Sequence, residues 1–368
     1  MAVRSNDSWK WYRGWRVWIN LRRTAMNPPT IRIGSREVGS TQPCFVLAEV
    51  ASAHEGSADE ALKMLDAAFR MGADGIKFQL FKADRLVVNR HPGRKDFEQI
   101  ELTDKEWRKI LAQAKGSGLA LFAECFDAPS LELAAEAGTD AYKVHTTDME
   151  NKDFIKAVVD LKKPVFFATG GIGEEALAEA LSIVGDRELG LLFGFQTFPT
   201  PVEEIRFREL ESMKARYHVP VGFLDHTDGG TLFALMAPAL SVSYGADLVE
   251  KHFTMDRSKK GFDYQSSLNP EDFHRMVEMI RTAERARGEA GQPMSAAADS
   301  YHRKMGRFIV ARTLIGRGDV ITAEKLDFKR IDPNKDPGLS PRDVNRIVGR
   351  HAKHPIEADA TIREDMLD

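Results

Sequence analysis

The chain has 368 residues, enough for two domains, and its 43% hydrophobic and 29% charged content is that of an ordinary globular protein. A net charge of −3 gives no electrostatic footprint for nucleic acid or an anionic membrane surface. Cys44 and Cys125 are the only cysteines, which excludes a disulfide framework and a multi-cysteine zinc site and points to a reducing, cytoplasmic setting.

Residues 1–40 read as an N-terminal extension, partly disordered. The start is basic and carries Trp9, Trp11, Trp15 and Trp18. Such a stretch either lies on a membrane surface as a short amphipathic piece or is a disordered leader with Met26 as the functional start. It lacks the apolar core and cleavage site of a signal peptide. No apolar run in the chain approaches the roughly 20 residues of a membrane helix.

From about residue 43 to 287 a strand pattern recurs eight times, and nearly every copy ends on a polar group. "CFVLAEV" (44–50) ends with Glu49, and "GIKFQL" (75–80) carries Lys77 and Gln79. "LALFAEC" (119–125) ends with Glu124, and "AYKVHTT" (141–147) carries Lys143, His145 and Thr146. "PVFFATG" (164–170) ends with Thr169, and "LGLLFGFQ" (189–196) with Gln196. "VGFLDHT" (221–227) ends with Asp225 and His226, and "LVEKHFT" (248–254) packs Glu250, Lys251 and His252 together. Each run is short, bulky and β-prone, bounded by Gly, Pro or charged residues.

Helical patterns separate these strands. "SADEALKMLDAAFRMG" (57–72) places Ala61, Leu62, Leu65, Ala68 and Phe69 near a 3.6-residue period, opens with Ser57 and Glu60 as a capping-box pair, and stops at Gly72. "TDKEWRKILAQAKGSG" (103–118) repeats that grammar with Thr103 and Glu106. Strict strand–helix alternation implies a parallel sheet, and eight units over 41–287 fit a (β/α)8 TIM barrel. A doubly wound open sheet is the alternative, but no Gly-rich dinucleotide fingerprint follows the first strand. In a barrel the polar tips converge on one mouth, which is where TIM-barrel active sites lie. The "TGGIG" turn (169–173) is either an anion cradle or a tight strand-to-helix turn.

Residues 288–302 are small and polar without helical period, and read as a linker. Beyond them, 303–368 reads as a small β-rich domain with two strands about a Gly316–Gly318 turn. Within it "VITAEKL" (320–326) is echoed by "TIREDML" (361–367). A core of that size is marginal alone, so docking on a barrel is expected.

Taken in order, Glu49 in "AEVASAHEG", "KFQ", "YKV", "ATG", "FPTP", "DHT", "KHFT" and "SLNP" resemble the sialic acid synthase family, and the resemblance runs from about 43 to 368. It implies a TIM barrel followed by an antifreeze-like (SAF) domain. It also implies condensation of phosphoenolpyruvate with the aldehyde of an N-acyl amino sugar, giving a nonulosonic 2-keto acid and phosphate. His226 and His252 would ligate a divalent metal, manganese by preference, with magnesium or cobalt as alternatives. Lys77 and Lys143 would hold phosphoenolpyruvate. Glu49, Gln79, Asp148 and Asp263 would line the sugar and metal pocket, Glu49 and Asp148 together with the two histidines acting catalytically. Thr146, Gln196 and Glu124 fall at substrate-binding positions. Arg330 in "FKRI" matches an arginine that reaches the active site of a second copy in a domain-swapped homodimer.

Several positions depart from the family pattern. Glu124 stands where a phosphate-binding threonine is expected, and "HTTD" (145–148) replaces a Gly-Ser-Gly-Glu run. Gln196, Phe198 and Leu224 replace Asn, Tyr and Ser, and "SAHEG" replaces Asn-His-Asn-Gly. A carboxylate at 124 is expected to pair with Lys77 or Lys143 rather than face a phosphate. Two other readings stand beside the synthase: a metal-dependent barrel lyase or aldolase using a pyruvate-like partner, and a non-catalytic sugar-binding paralogue.

Overall fold

The computed structural model describes residues 29–194, 197–288 and 291–368. The tryptophan-rich stretch before residue 29 and Gln196 therefore lie outside the described residues. The chain divides at Gly288 into two compact units.

The first unit is a closed barrel of eight parallel strands, which excludes the open-sheet alternative. The strands are β3 (Phe45–Glu49), β4 (Gly75–Leu80), β5 (Ala120–Cys125), β6 (Ala141–Val144), β7 (Val165–Ala168), β8 (Leu189–Phe193), β9 (Val221–Asp225) and β10 (Leu248–His252). Closure comes from β10 lying beside β3, with Leu248 opposite Phe45 and His252 opposite Glu49. A helix follows every strand, from Ala58–Arg70 after β3 to Pro270–Arg287 after β10. Thr103 and Glu106 make the expected reciprocal capping box, whereas at Ser57 only half of it forms: Ser57 accepts from the Glu60 amide and the Glu60 carboxylate turns to Lys63.

The strands read as apolar on both faces because both are buried. Val46, Ile76, Leu121, Val249 and their equivalents pack outward under the helices. Phe45, Leu47, Phe122, Phe166, Leu192 and Leu248 fill the interior near the strand starts. Gly190 belongs to this inner layer, and a methyl there would collide with the Phe166 ring.

Residues 30–39 are not loose extension. They form an antiparallel hairpin, β1 (Thr30–Ile33) and β2 (Arg36–Gly39), joined by a two-residue turn in which Gly34 has φ +59°. Ile31, Ile33 and Val38 alternate onto one face and join the inner apolar layer, closing the barrel at its N-terminal end.

In the second unit, residues 296–305 correct the expected linker. Ala296–Met305 is a helix, because Ser295 caps it by accepting from the Ala298 amide and three alanines start it. None of its residues is buried, so no apolar period was there to read. β11 (Phe308–Ala311) and β12 (Leu326–Lys329) pair antiparallel. The internal echo is real in shape. Ala323–Lys325 and Glu364–Met366 are matching 3-10 turns, flanked by buried Ile321 and Leu326 in one copy and by buried Ile362 and Leu367 in the other. These four join Ile309, Ile315, Ile347 and Ile356 in one small core.

Candidate active site

Strand register assembles the site. Glu49 lies opposite Lys77, Gln79 opposite Glu124, and Glu124 opposite Lys143. Alternation sends all five side chains inward above the apolar layer, Lys77 from mid-strand and the other four from the C-terminal halves of their strands. Glu250, inward-facing between Leu248 and His252, joins them.

The result is a buried charge lattice. Lys77 Nζ lies 2.9 Å from Glu124 Oε2 and 2.8 Å from Glu250 Oε1, and it also pairs with Glu49. Lys143 Nζ lies 2.7 Å from Glu250 Oε1 and 3.3 Å from Glu124 Oε1. Gln79 Nε2 donates to Glu124 Oε2 at 2.9 Å, and the Ala51 amide donates to Glu49 Oε1 at 2.7 Å. Glu49 Oε2 and Glu124 Oε1 meet lysines as ion pairs without hydrogen-bond alignment, whereas Glu250 Oε2 has neither kind of partner.

Burial works against every charge here, and the partners decide the outcome. It pulls the Lys77 ammonium down to about 8 against the pull of Glu124 and Glu250. For Lys143 the same two carboxylates outweigh burial and raise it. Glu124 and Glu250 are held below the usual carboxylate range, since the two lysines more than offset burial. Near neutral pH Glu124, Glu250 and both lysines are therefore charged, and Glu124 has its expected lysine pairs.

Beside the lattice, His226 and His252 stand with ring centroids 5.0 Å apart. Burial, then Lys143, lowers His226 to about 3, and burial, then His226, lowers His252 well below its ordinary value. Both imidazoles are neutral, and Nδ1 of each is buried without a partner. Phe198 sets its edge against both rings, at 5.0 and 5.7 Å. Among the described residues no group of three or more His, Cys, Asp or Glu side chains is placed to hold a metal ion. Two neutral, partnerless imidazoles nonetheless fit a borderline divalent cation that takes its remaining ligands from water or substrate.

A cavity of about 590 Å³ opens above these groups. Lys143, Gln79, Glu250 and both histidines form its polar floor, while Phe81, Leu86, Phe97 and Phe126 form an apolar wall. Thr146 lines it, its hydroxyl 3.4 Å from the Ala168 carbonyl. Gly170 and Gly171 of the "TGGIG" turn also reach it. Asp263 also lines it, accepting from the Ser52 amide at 3.1 Å, with its carboxyl raised by burial.

The structure does not bring every candidate to the cavity. Glu49, Lys77 and Glu124 are sealed beneath its floor with no exposed surface. Asp148 is half-buried, takes a 3.4 Å bond from the Thr147 hydroxyl, and is not among the lining residues. Arg330 belongs to the second unit, just past β12, and is exposed. Glu250 was visible in the sequence as one of three ionisable residues in a row, but went unassigned. Its neighbour Lys251 faces outward, where it pairs with Asp225 at 3.0 Å and Thr227 Oγ1 at 3.2 Å.

Comparison with known proteins adds to this geometry. The NeuB family model matches residues 64–292, and the SAF domain model matches 306–368. An uncharacterised protein of Methanocaldococcus jannaschii is 31% identical over 92% of this chain and 98% of its own. The pseudaminic acid synthase of Campylobacter jejuni is 29% identical over 87% of this chain and 95% of its own. The solved N-acetylneuraminic acid synthetase of Leptospira borgpetersenii matches in fold with a TM-score of 0.70 at 24% identity, over 76% of this chain and 98% of that one.

Proposed function

Because this chain belongs to the NeuB family and carries a SAF domain at its C-terminus, we propose that it condenses phosphoenolpyruvate with the aldehyde of an N-acyl amino sugar. The reaction forms one C–C bond, takes up water and releases phosphate, leaving a nonulosonic 2-keto acid. The observation that carries this reading is the pair of neutral, partnerless imidazoles beside a buried lysine–carboxylate floor, at the mouth where barrel chemistry occurs.

His226 and His252 would hold a divalent cation, manganese by preference, with magnesium or cobalt as alternatives. When bound, that ion would supply Lewis-acid polarisation of an oxygen such as the sugar aldehyde. Lys143, on the cavity floor, offers its ammonium to the donor's anionic end. The partnerless Oε2 of Glu250 is placed to accept a proton or a sugar hydroxyl. Asp263 and Thr146, which both line the cavity, would orient the sugar. The Phe81, Leu86, Phe97 and Phe126 wall excludes water and suits an acyl group. Arg330 would complete the site from a second copy in a domain-swapped homodimer.

Metal analysis of His226→Ala and His252→Ala proteins tests the histidine pair. Each is expected to lose its divalent ion and to fall at least a hundredfold in phosphate release. Full metal content and full activity in both would contradict the assignment.

A further inference from the structure

Lys77, Glu124, Lys143 and Glu250 close a square in which charges alternate. Its sides measure 2.9 Å (Lys77–Glu124), 3.3 Å (Glu124–Lys143), 2.7 Å (Lys143–Glu250) and 2.8 Å (Glu250–Lys77). An ammonium has three protons to give. Lys77 donates to Glu124 and Glu250 and ion-pairs with Glu49, so three carboxylates already crowd its ammonium. Lys143 donates to Glu250 and only ion-pairs with Glu124, which leaves it donor capacity for a ligand.

An anion arriving at this floor finds lysines whose charge is neutralised from within. Glu124 is the member that can be dispensed with, since Glu49 and Glu250 still face Lys77, and Glu250 still faces Lys143, when it is removed. We infer that Glu124 is a specificity-determining residue: it serves as an internal counter-anion on the Lys77–Lys143 pair, and a multiply charged donor binds in exchange for its contacts rather than in addition to them. Like charges brought to about 4 Å in a poorly solvated site repel strongly. The protein therefore holds phosphate-bearing donors weakly and discriminates less against a singly charged 2-oxo acid. The identity of the donor rests on the synthase reading, whereas the charge exchange does not.

Calorimetric titration of wild type, Glu124→Gln and Glu124→Thr proteins with inorganic phosphate, phosphoenolpyruvate and pyruvate tests the inference. Both variants are expected to bind phosphate and phosphoenolpyruvate at least tenfold more tightly than wild type, with pyruvate changing less than threefold. Glu124→Thr is expected to melt lower than wild type and to recover when phosphate is added, because the anion takes the vacated place. A residue that only braces the barrel would lower the melting temperature with no gain in anion affinity. Unchanged or weaker phosphate binding in both folded variants, as judged by cooperative melting, would overturn the proposal. Tighter anion binding with no phosphate release from any donor–aldose pair would sustain it while removing the synthase reading.

Discussion

His54 is buried in the loop after β3, where its Nδ1 accepts from the Gly56 amide at 3.1 Å and its ring meets Trp107 at 5.7 Å. Burial lowers it to about 4 from an ordinary 6.5. Protonation would turn its acceptor nitrogen into a donor and break the Gly56 contact. Between these two values the unfolded chain binds a proton that the folded one refuses, so stability is full above 6.5 and falls as pH drops toward 4. From pH 7 to pH 5 this one group costs about 2 kcal/mol. Urea denaturation at both pH values should show a loss about 2 kcal/mol smaller for His54→Gln than for wild type, His226 and His252 contributing alike to both proteins. Equal losses would mean that His54 is not held neutral. At this scale the polar tips were legible because each closes a run of apolar, β-prone residues. Which of two adjacent ionisable residues faces inward was not. Glu250 and Lys251 differ only in parity, and a strand buried on both faces offers no hydrophobic alternation to fix it. Closure against Phe45 and Glu49 sets that parity, and it lies two hundred residues away along the chain.

The hairpin β1–β2 is the element that the sequence concealed most. "TIRIGSREVG" (30–39) does alternate, and a Gly-led two-residue turn divides it, but it directly follows a basic, tryptophan-rich stretch and is short. Its apolar face has meaning only against an open barrel end. Ile33 is fully buried there. Truncating such a side chain costs about 2–5 kcal/mol when the site does not collapse. Chemical denaturation of Ile33→Ala should show a loss in that range, and a loss below about 1 kcal/mol would show that the hairpin is no part of the core. The helix Ala296–Met305 was hidden for the opposite reason: with no buried face, only its Ser295 cap and its alanines announce it. By contrast, Ser57 and Thr103 marked their helices correctly, because capping is a local interaction.

At the scale of the whole molecule, strand–helix alternation made the barrel legible, and the repeated Ile–acid–Leu pattern of the tail foreshadowed its paired 3-10 turns. Among the described residues no helix is long and apolar enough to cross a membrane. Whether the second unit reaches a second copy is set by assembly, which no local sequence pattern encodes. If Arg330 acts in trans, mixing Arg330→Ala protein with His252→Ala protein should restore up to a quarter of the activity through hybrid dimers. Mixtures no more active than their parts would argue against the swap.

As proposed, the two imidazoles and the charged floor serve one condensation. The most direct measurement incubates the protein, manganese and a panel of N-acyl hexosamines with phosphoenolpyruvate or with pyruvate, and follows phosphate and 2-keto acid together. One phosphate should be released per 2-keto acid formed, from phosphoenolpyruvate only, with both products requiring an aldose and a divalent ion. Formation of a 2-keto acid from pyruvate without phosphate release, or no turnover of either donor in a metal-loaded protein, would contradict it.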